Sequence, residues 1–226
     1  MLSETPGKRL NKYVSDYCVF DLETTGISPN FDSVIEISAV KVKDGKVVDE
    51  FTSLVNPLRP IPFGASQVNG ITNDMVADAP VFETVLKDFI DFAWDMVLVG
   101  HNIHSFDMKF IYRDVKRYWD RTIDNDYIDT LYLSRAYLPQ LRHHTLSDLS
   151  MFYGISTAGA HRALNDCRMN QQVFEKLGQK MNNPSDTEGA LPICPRCGDV
   201  LKKRNGKFGE FWGCGSFPKC RFTQNV

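Results

Sequence analysis

Five residues with metal-binding or acid–base side chains lie in three short, separate blocks of the chain. Asp21 and Glu23 stand in VFDLETTG, Asp107 stands in LVGHNIHSFDMKF, and His161 and Asp166 stand in HRALNDC. Carboxylate oxygens are the ligands that Mg²⁺ and Mn²⁺ prefer, and such ions need several of them. The histidine adds a group that titrates near neutral pH, as acid–base chemistry requires. The residue types therefore suggest a hard divalent-metal site with a titratable group beside it.

The first block has the pattern of a buried strand with a polar end. Residues 17–23, YCVFDLE, are mostly apolar, and side chains two apart on a strand share a face, so Asp21 and Glu23 point the same way. Two neighbouring like charges repel each other unless a cation lies between them. Gly26 then permits close approach of the backbone to a ligand. The alternative is a strand end with two solvated acids.

The second block is predicted to be a strand followed by a helix. Residues 96–100, MVLVG, form a short apolar run, and a helical pattern begins near Ser105. Asp107 then falls in the first helical turn, where the helix dipole favours a negative charge. Helix N-terminal stabilisation alone is therefore an alternative explanation for Asp107.

The third block opens a helix that is predicted to run from about Gly159 to Met181. His161 and Asp166 are five residues apart, which places them about 140° apart around a regular helix. Both side chains can face one metal site only if His161 lies on the entry loop or the first turn. We therefore expect His161 just ahead of the helix and Asp166 on it, the alternative being that His161 is an ordinary surface histidine.

Taken together, the order and contexts of the blocks resemble the DEDDh 3′–5′ exonucleases of the proofreading-exonuclease and RNase T-like superfamily. The resemblance covers about residues 15–178, and segments 63–82, 127–139 and 144–156 also match. It implies an α/β fold, a ribonuclease H-like mixed sheet with helices on both sides. It also implies a site with two Mg²⁺ or Mn²⁺ ions and His161 as general base. The implied metal ligands are Asp21, Glu23, Asp107 and Asp166.

The same resemblance implies contacts with the substrate. Many relatives carry a histidine where this chain has Asn69, so recognition of the 3′ end is expected to differ here. Phe106 is alternatively a plain core residue, as aromatic residues often are. The resemblance gives no role to His104, His143 and His144, and we interpret them as surface or packing residues. The implied substrate-binding positions are Thr24, Thr25, Gly26, His101 and Phe106.

Four cysteines near the end of the chain form a second motif. Cys194 and Cys197 make a C-x₂-C pair, and Cys214 and Cys220 make a C-x₅-C pair. Such pairs predict one tetrahedral structural Zn²⁺ site. Disulfides are the less favoured alternative, because the first residues, MLSETPGKRLNK, lack an apolar signal core. Residues 192–223 resemble the zinc ribbons found at the C-terminus of bacterial type IA topoisomerases.

The charge of this tail favours a nucleic-acid role. From Ala190 onward the chain has seven basic and two acidic residues, a charge of +5, or +3 with four thiolates and zinc. The rest of the chain carries −7, which accounts for the total of −2. Cations that meet phosphates and aromatics that stack on bases are typical of single-strand binding. The alternatives are that the aromatics form the ribbon's small core or that the ribbon binds protein. The interleaved aromatics are Phe208, Phe211, Trp212, Phe217 and Phe222.

A length of 226 residues suits one α/β domain and a small module. We expect a polar lead-in over residues 1–14, an exonuclease domain over 15–181, a linker over 182–192 and a zinc ribbon over 193–226. The linker segment, NNPSDTEGALP, is polar and contains Pro and Gly. No apolar run approaches the ~20 residues that span a bilayer. We therefore expect a cytoplasmic protein with no membrane partner.

The sequence favours a metal-dependent 3′–5′ exonuclease that releases nucleoside 5′-monophosphates by a two-metal mechanism. DNA is the favoured substrate, as single strands or 3′ ends, because the first domain looks closest to the polymerase-proofreading branch and the ribbon to a topoisomerase. A polymerase or another replication or repair protein is an expected partner. The alternatives are a 3′–5′ exoribonuclease and a non-catalytic nucleic-acid-binding adaptor on a nuclease fold.

Overall fold

The computed structural model describes residues 1–183, 189–207 and 209–226. Residues 184–188, inside the predicted linker, and Phe208, one of the predicted ribbon aromatics, lie outside the described residues. Eleven strands and seven helices are present in the described ranges.

A six-stranded mixed sheet forms the centre of the larger domain. Its strand order is β2-β8-β6-β3-β4-β5. β2, β8, β6 and β3 run parallel to one another, whereas β4 pairs antiparallel with both β3 and β5. The carboxyl ends of the parallel strands therefore meet at one edge of the sheet. The strands are β2 (Arg9–Leu10), β3 (Tyr17–Thr24), β4 (Val34–Lys43), β5 (Lys46–Leu54), β6 (Val97–Gly100) and β8 (Tyr127–Asp129).

Apolar side chains on both faces of β3 explain why helices cover both faces of the sheet. Cys18, Phe20 and Leu22 pack into a core with α3 and α4, whereas Tyr17 and Val19 pack into a second core with α5, α6 and α7. The odd-numbered face of β3 therefore looks toward α7. The predicted mixed sheet with helices on both sides is confirmed. The helices are α1 (Phe63–Asn69), α2 (Asn73–Val76), α3 (Phe82–Ala93), α4 (Asp107–Trp119), α5 (Thr130–Tyr137), α6 (Leu146–Phe152) and α7 (Ala163–Asn182).

Two helices begin later than their sequence patterns predicted. α4 starts at Asp107 rather than near Ser105, because residues 102–106 first form a tight turn. α7 starts at Ala163 rather than at Gly159, because Gly159 and His161 both adopt positive φ. His161 consequently lies ahead of the helix, as the angular argument required.

The first 14 residues are tied into the domain. β1 (Leu2–Ser3) pairs with β7 (Thr122–Ile123), and β2 forms one edge of the central sheet. The predicted lead-in therefore contributes two short strands rather than standing outside the fold. Their pairing was not visible in the sequence because two-residue strands carry no periodic pattern.

The C-terminal unit is a three-stranded antiparallel sheet around the cysteines. Its order is β11-β10-β9, from β9 (Leu201–Gly206), β10 (Gly209–Cys214) and β11 (Thr223–Asn225). The unit contacts α5, since Leu191 N donates to Ala136 O over 2.9 Å and Arg135 lies 3.8 Å from Asp199. Across the described ranges, no helix combines the length and apolarity that a membrane span requires.

Candidate functional site

Three of the four predicted acids converge at the carboxyl edge of the sheet. The carboxylate oxygens of Asp21, Glu23 and Asp166 all lie within 4.8 Å of one another. Asp21 and Glu23 share the odd-numbered face of β3, and that face looks toward α7, which carries Asp166 in its first turn. Strand alternation and one helix start therefore suffice to bring residues 145 positions apart into one cluster.

Asp107 approaches this cluster from the opposite face of the sheet. It is the first residue of α4 and is buried, and its Oδ1 accepts the backbone N–H of Leu22 over 3.1 Å. Its charge raises the pKa of both Asp21 and Glu23. Among the described residues, however, it is not part of the group whose oxygens all lie within 4.8 Å.

The electrostatics of the cluster fit a cation. Burial, followed by the charges of the other acids, raises the pKa of Asp21 well above its usual range. Burial and neighbouring acids raise the pKa of Glu23 to about 8, and burial raises the pKa of Asp107 to about 7. Burial also raises the pKa of Asp166. Oxygen donors that repel one another at neutral pH match the ligand set and the charge that a hard divalent ion requires.

His161 lies at the entrance to α7 with an exposed side chain. Its φ is 68°, a left-handed conformation that non-glycine residues rarely adopt. Its backbone N–H donates to Asp166 Oδ2 over 3.2 Å, so the histidine backbone and the acid are held together. The imidazole therefore extends from a residue that is fixed directly to the carboxylate cluster.

Glu36 and Arg162 belong to the site, although the sequence analysis did not identify them. Glu36 is buried on β4 directly opposite Glu23, and Arg162 Nη2 and Nε reach its two oxygens over 2.7 and 3.2 Å. A lone acid inside the apolar strand sequence VIEISAVKV was a usable signal, because a buried charge needs a partner.

Asn69 is the position at which the sequence departs from the resemblance. It is 5% exposed, and its side chain forms a hydrogen bond with Glu23 that partly opposes the rise in the pKa of that carboxyl caused by burial and the neighbouring acids. Its Oδ1 also accepts the backbone N–H of Ile71 over 3.0 Å. The amide therefore contacts a cluster carboxylate and a turn at the same time.

The loop after β3 is closed by its own side chains. Thr24 Oγ1 donates to Gly26 O over 2.7 Å, and Thr25 Oγ1 donates to Asp32 Oδ1 over 3.1 Å. A Cβ at Gly26 would lie 2.6 Å from the Asp32 carboxylate, which the Thr25 hydroxyl and the Ser28 N–H hold in place, so glycine avoids a collision there. Both threonine hydroxyls are engaged inside the loop, which leaves the backbone of these predicted substrate positions as the part that can face a ligand.

His101 and Phe106 lie on either side of the turn that leads into α4. His101 Nδ1 is 3.0 Å from Thr130 Oγ1, and burial lowers the pKa of His101 to about 4. The imidazole is consequently neutral at physiological pH. Phe106 is half-buried with its ring 5.2 Å from that of Phe110, so part of it belongs to the core.

The four tail cysteines form a compact thiol cluster with no disulfide. Their sulfurs lie within 4.8 Å of one another, and Cys194 Sγ is 3.8 Å from Cys220 Sγ. Tetrahedral zinc with Zn–S bonds of about 2.3 Å separates its sulfurs by about 3.8 Å. Cys197 and Cys214, 3.2 Å apart, complete the set. The sulfur donors fit one structural Zn²⁺.

Comparison with known families agrees with both parts of the molecule. Residues 18–174 match the RNase_T family model, described as Exonuclease. Residues 192–226 match a family model described as Topoisomerase DNA binding C4 zinc finger. The first match contains all five predicted catalytic residues, and the second contains all four cysteines.

Similar proteins include the DNA polymerase III PolC-type of Oceanobacillus iheyensis, 40% identical over 171 residues that make up 76% of this chain and 12% of that protein. The PolC-type enzyme of Latilactobacillus sakei is 42% identical over 184 residues, 81% of this chain and 13% of its own. The chain thus spans about one eighth of the length of these relatives.

Among solved structures, exonuclease X in complex with 5′ overhanging duplex DNA superposes with a TM-score of 0.60 at 26% identity. The alignment covers 76% of this chain and 96% of that one. With the family match extending over most of its length, this chain belongs to the RNase_T exonuclease family and carries a C4 zinc ribbon.

Proposed function

We propose that the protein is a metal-dependent 3′–5′ exonuclease that hydrolyses DNA to nucleoside 5′-monophosphates. The observation that carries this proposal is the group of three carboxylates within 4.8 Å of one another, with Asp107 close enough for its charge to add to the raised pKa of Asp21 and Glu23. Asp21, Glu23, Asp107 and Asp166 are the residues that would hold two Mg²⁺ or Mn²⁺ ions. Such ions, when bound, lower the pKa of an attacking water and neutralise charge on the phosphate.

His161 is assigned the role of general base. Its imidazole is exposed at the mouth of the site, and its backbone is held to Asp166 by a hydrogen bond of 3.2 Å. In this role it accepts the proton of the water that attacks the phosphorus. Glu36 and Arg162 act as positioning residues, because they hold the backbone that immediately follows His161.

The 3′ end of the DNA is expected to contact the backbone of Thr24, Thr25 and Gly26. These residues continue directly from Glu23, and their side chains are already engaged within the loop. His101 and Phe106 flank Asp107 and are assigned to the same substrate face. The neutral imidazole of His101 suits a hydrogen bond with a sugar or base rather than an ion pair with phosphate.

DNA is the proposed substrate because the similar proteins act in DNA contexts. PolC-type relatives are named as DNA polymerases, and the structure of exonuclease X contains duplex DNA with a 5′ overhang. The ribbon family is described as DNA binding.

The relatives also suggest a replication setting, so a polymerase is the proposed protein partner. A 3′–5′ exoribonuclease is the second candidate, since the same carboxylate chemistry cleaves both backbones.

The test is release of mononucleotides from matched 3′-labelled single-stranded DNA and RNA, with Mg²⁺, Mn²⁺ or EDTA. Metal-dependent release that is faster from DNA is expected. Asp166→Ala should abolish it, whereas Asp88→Ala, which alters an exposed acid on α3, should not. Faster release from RNA would favour the second candidate. Binding without release from either strand would favour a non-catalytic adaptor.

A further inference from the structure

A cleft of about 740 Å³ separates the exonuclease domain from the ribbon. One wall is the connection between α5 and α6, which includes Arg142 and His143. The other wall is the ribbon, through Val200, Lys202 and Gly215. Each wall belongs to one of the two regions that match a family model. The cleft forms where these two regions pack against each other.

The cleft walls carry an excess of positive charge. Arg142, His143 and Lys202 are exposed, and Arg135 lines the same space. The one carboxylate among the described lining residues is Asp199, which lies 3.8 Å from Arg135 and accepts a hydrogen bond of 2.6 Å from Ser216 Oγ. Arg142 and Lys202 form no ion pair with any described residue. Two cations without an ion pair therefore line the cleft, one from each wall, on a protein whose net charge is −2.

One end of the cleft reaches the sheet edge that carries the candidate active site. His101 and Asn102 line the cleft and directly follow β6. β6 is the parallel neighbour of β3, so these residues lie at the same sheet edge as Asp21. The turn they begin leads, five residues later, to Asp107. The cations therefore line a cleft that opens at the sheet edge where the carboxylates lie.

The ribbon wall is held in place by specific contacts. The guanidinium of Arg9 lies 4.2 Å above the Tyr132 ring and against Gly198 at the first cysteine turn. The backbone hydrogen bond from Leu191 to Ala136 adds a second attachment. Lys202 therefore occupies a defined position relative to Arg142, which an otherwise freely tethered ribbon would not provide.

We propose that this cleft binds the sugar–phosphate backbone of single-stranded DNA on the 5′ side of the cleaved nucleotide, with Arg142 and Lys202 on phosphates from opposite walls. The proposal rests on the proposed exonuclease function and adds the path of the strand. Phosphate contacts of this kind give affinity without sequence preference and depend on salt.

The test compares two double variants that lose the same charge. Arg142→Ala/Lys202→Ala removes the cleft cations, whereas Arg121→Ala/Lys203→Ala removes one exposed cation from each domain outside the cleft. Hydrolysis is measured on a trinucleotide and on a single strand of about 20 nucleotides, longer than usual single-strand site sizes. Strand binding in EDTA is measured by fluorescence anisotropy with the same proteins.

For the cleft variant, KM for the long strand is expected to rise about tenfold or more, and clearly less for the trinucleotide. The slope of log affinity against log salt should fall by about 1.4, or about 0.7 for each lost phosphate contact. Arg142→Lys/Lys202→Arg should restore binding because it keeps both charges.

If the two alanine variants have equal KM values on both substrates and equal affinities in the binding assay, the proposal that DNA binds in the cleft is wrong. That result would not contradict the exonuclease function. If the wild-type chain hydrolyses neither substrate, the function fails. The anisotropy comparison then still decides whether the cleft binds the strand.

Discussion

Arg162 and Glu36 form an ion pair with two hydrogen bonds at the start of α7. The Nη2–Oε1 distance is 2.7 Å, and the Nε–Oε2 distance is 3.2 Å. The backbone N–H of Ala163 also donates to Glu36 Oε2 over 3.1 Å, so one carboxylate fixes the first residue of the helix and the residue before it. His161 precedes this pair and Asp166 follows it. The pair therefore sets the position of both site residues without lying in the carboxylate cluster.

Replacing Glu36 with glutamine is expected to lower kcat by about ten- to a hundredfold, as loss of an outer partner of a metal site commonly does. A neutral amide cannot accept both guanidinium contacts and the Ala163 N–H, so the backbone that follows His161 is held less firmly. Activity should be measured across a titration of Mn²⁺ and of strand concentration. A fall in kcat with little change in KM for the strand is expected.

Glu50 offers a matched control for this substitution. It forms a similar two-contact pair with Arg168, which lies on α7 six residues after Arg162, but at the exposed edge of the sheet. Glu50→Gln is expected to leave kcat within about twofold, because exposed ion pairs contribute little. An equal loss of kcat in both variants would mean that Glu36 acts through general helix stability.

How much of the site is visible in the sequence depends on local pattern. The face shared by Asp21 and Glu23 followed from strand alternation, and the place of His161 ahead of the helix followed from the angle between it and Asp166. Glu36 was missed because its role depends on pairing between β3 and β4, and no local rule states which residues face each other across two strands.

The strands of the fold also differ in whether local sequence pattern predicts them. The strong apolar runs of β3 and β6 predicted the central strands, whereas β2 has two residues and acquires its place only by pairing with β8. The cleft could not be foreseen at all. Its two walls are distant in sequence, and their positions depend on Arg9 packing between Tyr132 and Gly198.

Asp21→Asn is expected to stabilise the metal-free protein while abolishing activity. At pH 8 the unfolded acids are ionised and separated, whereas folding without metal brings them together in a half-buried cluster. Relieving about 1 kcal/mol of this cost, from burial of the charge and then from repulsion by the other acids, would raise the unfolding midpoint in EDTA by about 2–4 °C for a chain of this size. Calorimetry in EDTA measures this shift.

The same measurement with Mn²⁺ provides the complementary result. A bound ion stabilises the folded state in proportion to its affinity, so the wild-type midpoint should rise on addition of Mn²⁺ and that of Asp21→Asn should rise much less. Asp88→Asn on the exposed face of α3 serves as the control and should behave like wild type. A lower midpoint for Asp21→Asn in EDTA would show that burial and repulsion of the Asp21 charge do not destabilise the metal-free fold.

His101 is expected to make stability depend on pH between 6.5 and about 4. Its pKa is lowered from 6.5 to about 4 by burial, so the unfolded chain binds a proton more readily than the folded one in this window. Stability from this group is complete above pH 6.5 and is lost as the pH falls, by up to about 3 kcal/mol.

His101→Gln removes this titration. Urea unfolding in EDTA, repeated across the window, should show a shallower loss of unfolding free energy for the variant than for wild type. The other acids titrate in both proteins and cancel in the difference. Parallel curves for the two proteins would contradict a buried neutral imidazole at this position.

Gly198→Ala is expected to weaken the attachment of the ribbon. The new Cβ would lie 1.7 Å from Arg9 Nη2, and the residue has a φ of 68°. Gly189→Ala is the matched control, because its φ is 82° but nothing lies within 4 Å of its Cβ position. Both variants carry the cost of about 1–2 kcal/mol for a left-handed non-glycine residue, and only Gly198→Ala adds the collision. Its unfolding midpoint should therefore be the lower of the two.

Arg9→Ala separates the collision from the backbone cost. The new Cβ of Gly198→Ala collides with the end of the Arg9 side chain, so removing that side chain should relieve the collision. Only the free-energy cost of the left-handed backbone conformation then remains. In a double-mutant cycle, Gly198→Ala is expected to destabilise the Arg9→Ala background less than wild type, with a coupling of about 1 kcal/mol. Additive effects would mean that Arg9 moves aside freely, and the ribbon position would then depend on the Leu191–Ala136 hydrogen bond and the zinc cluster instead.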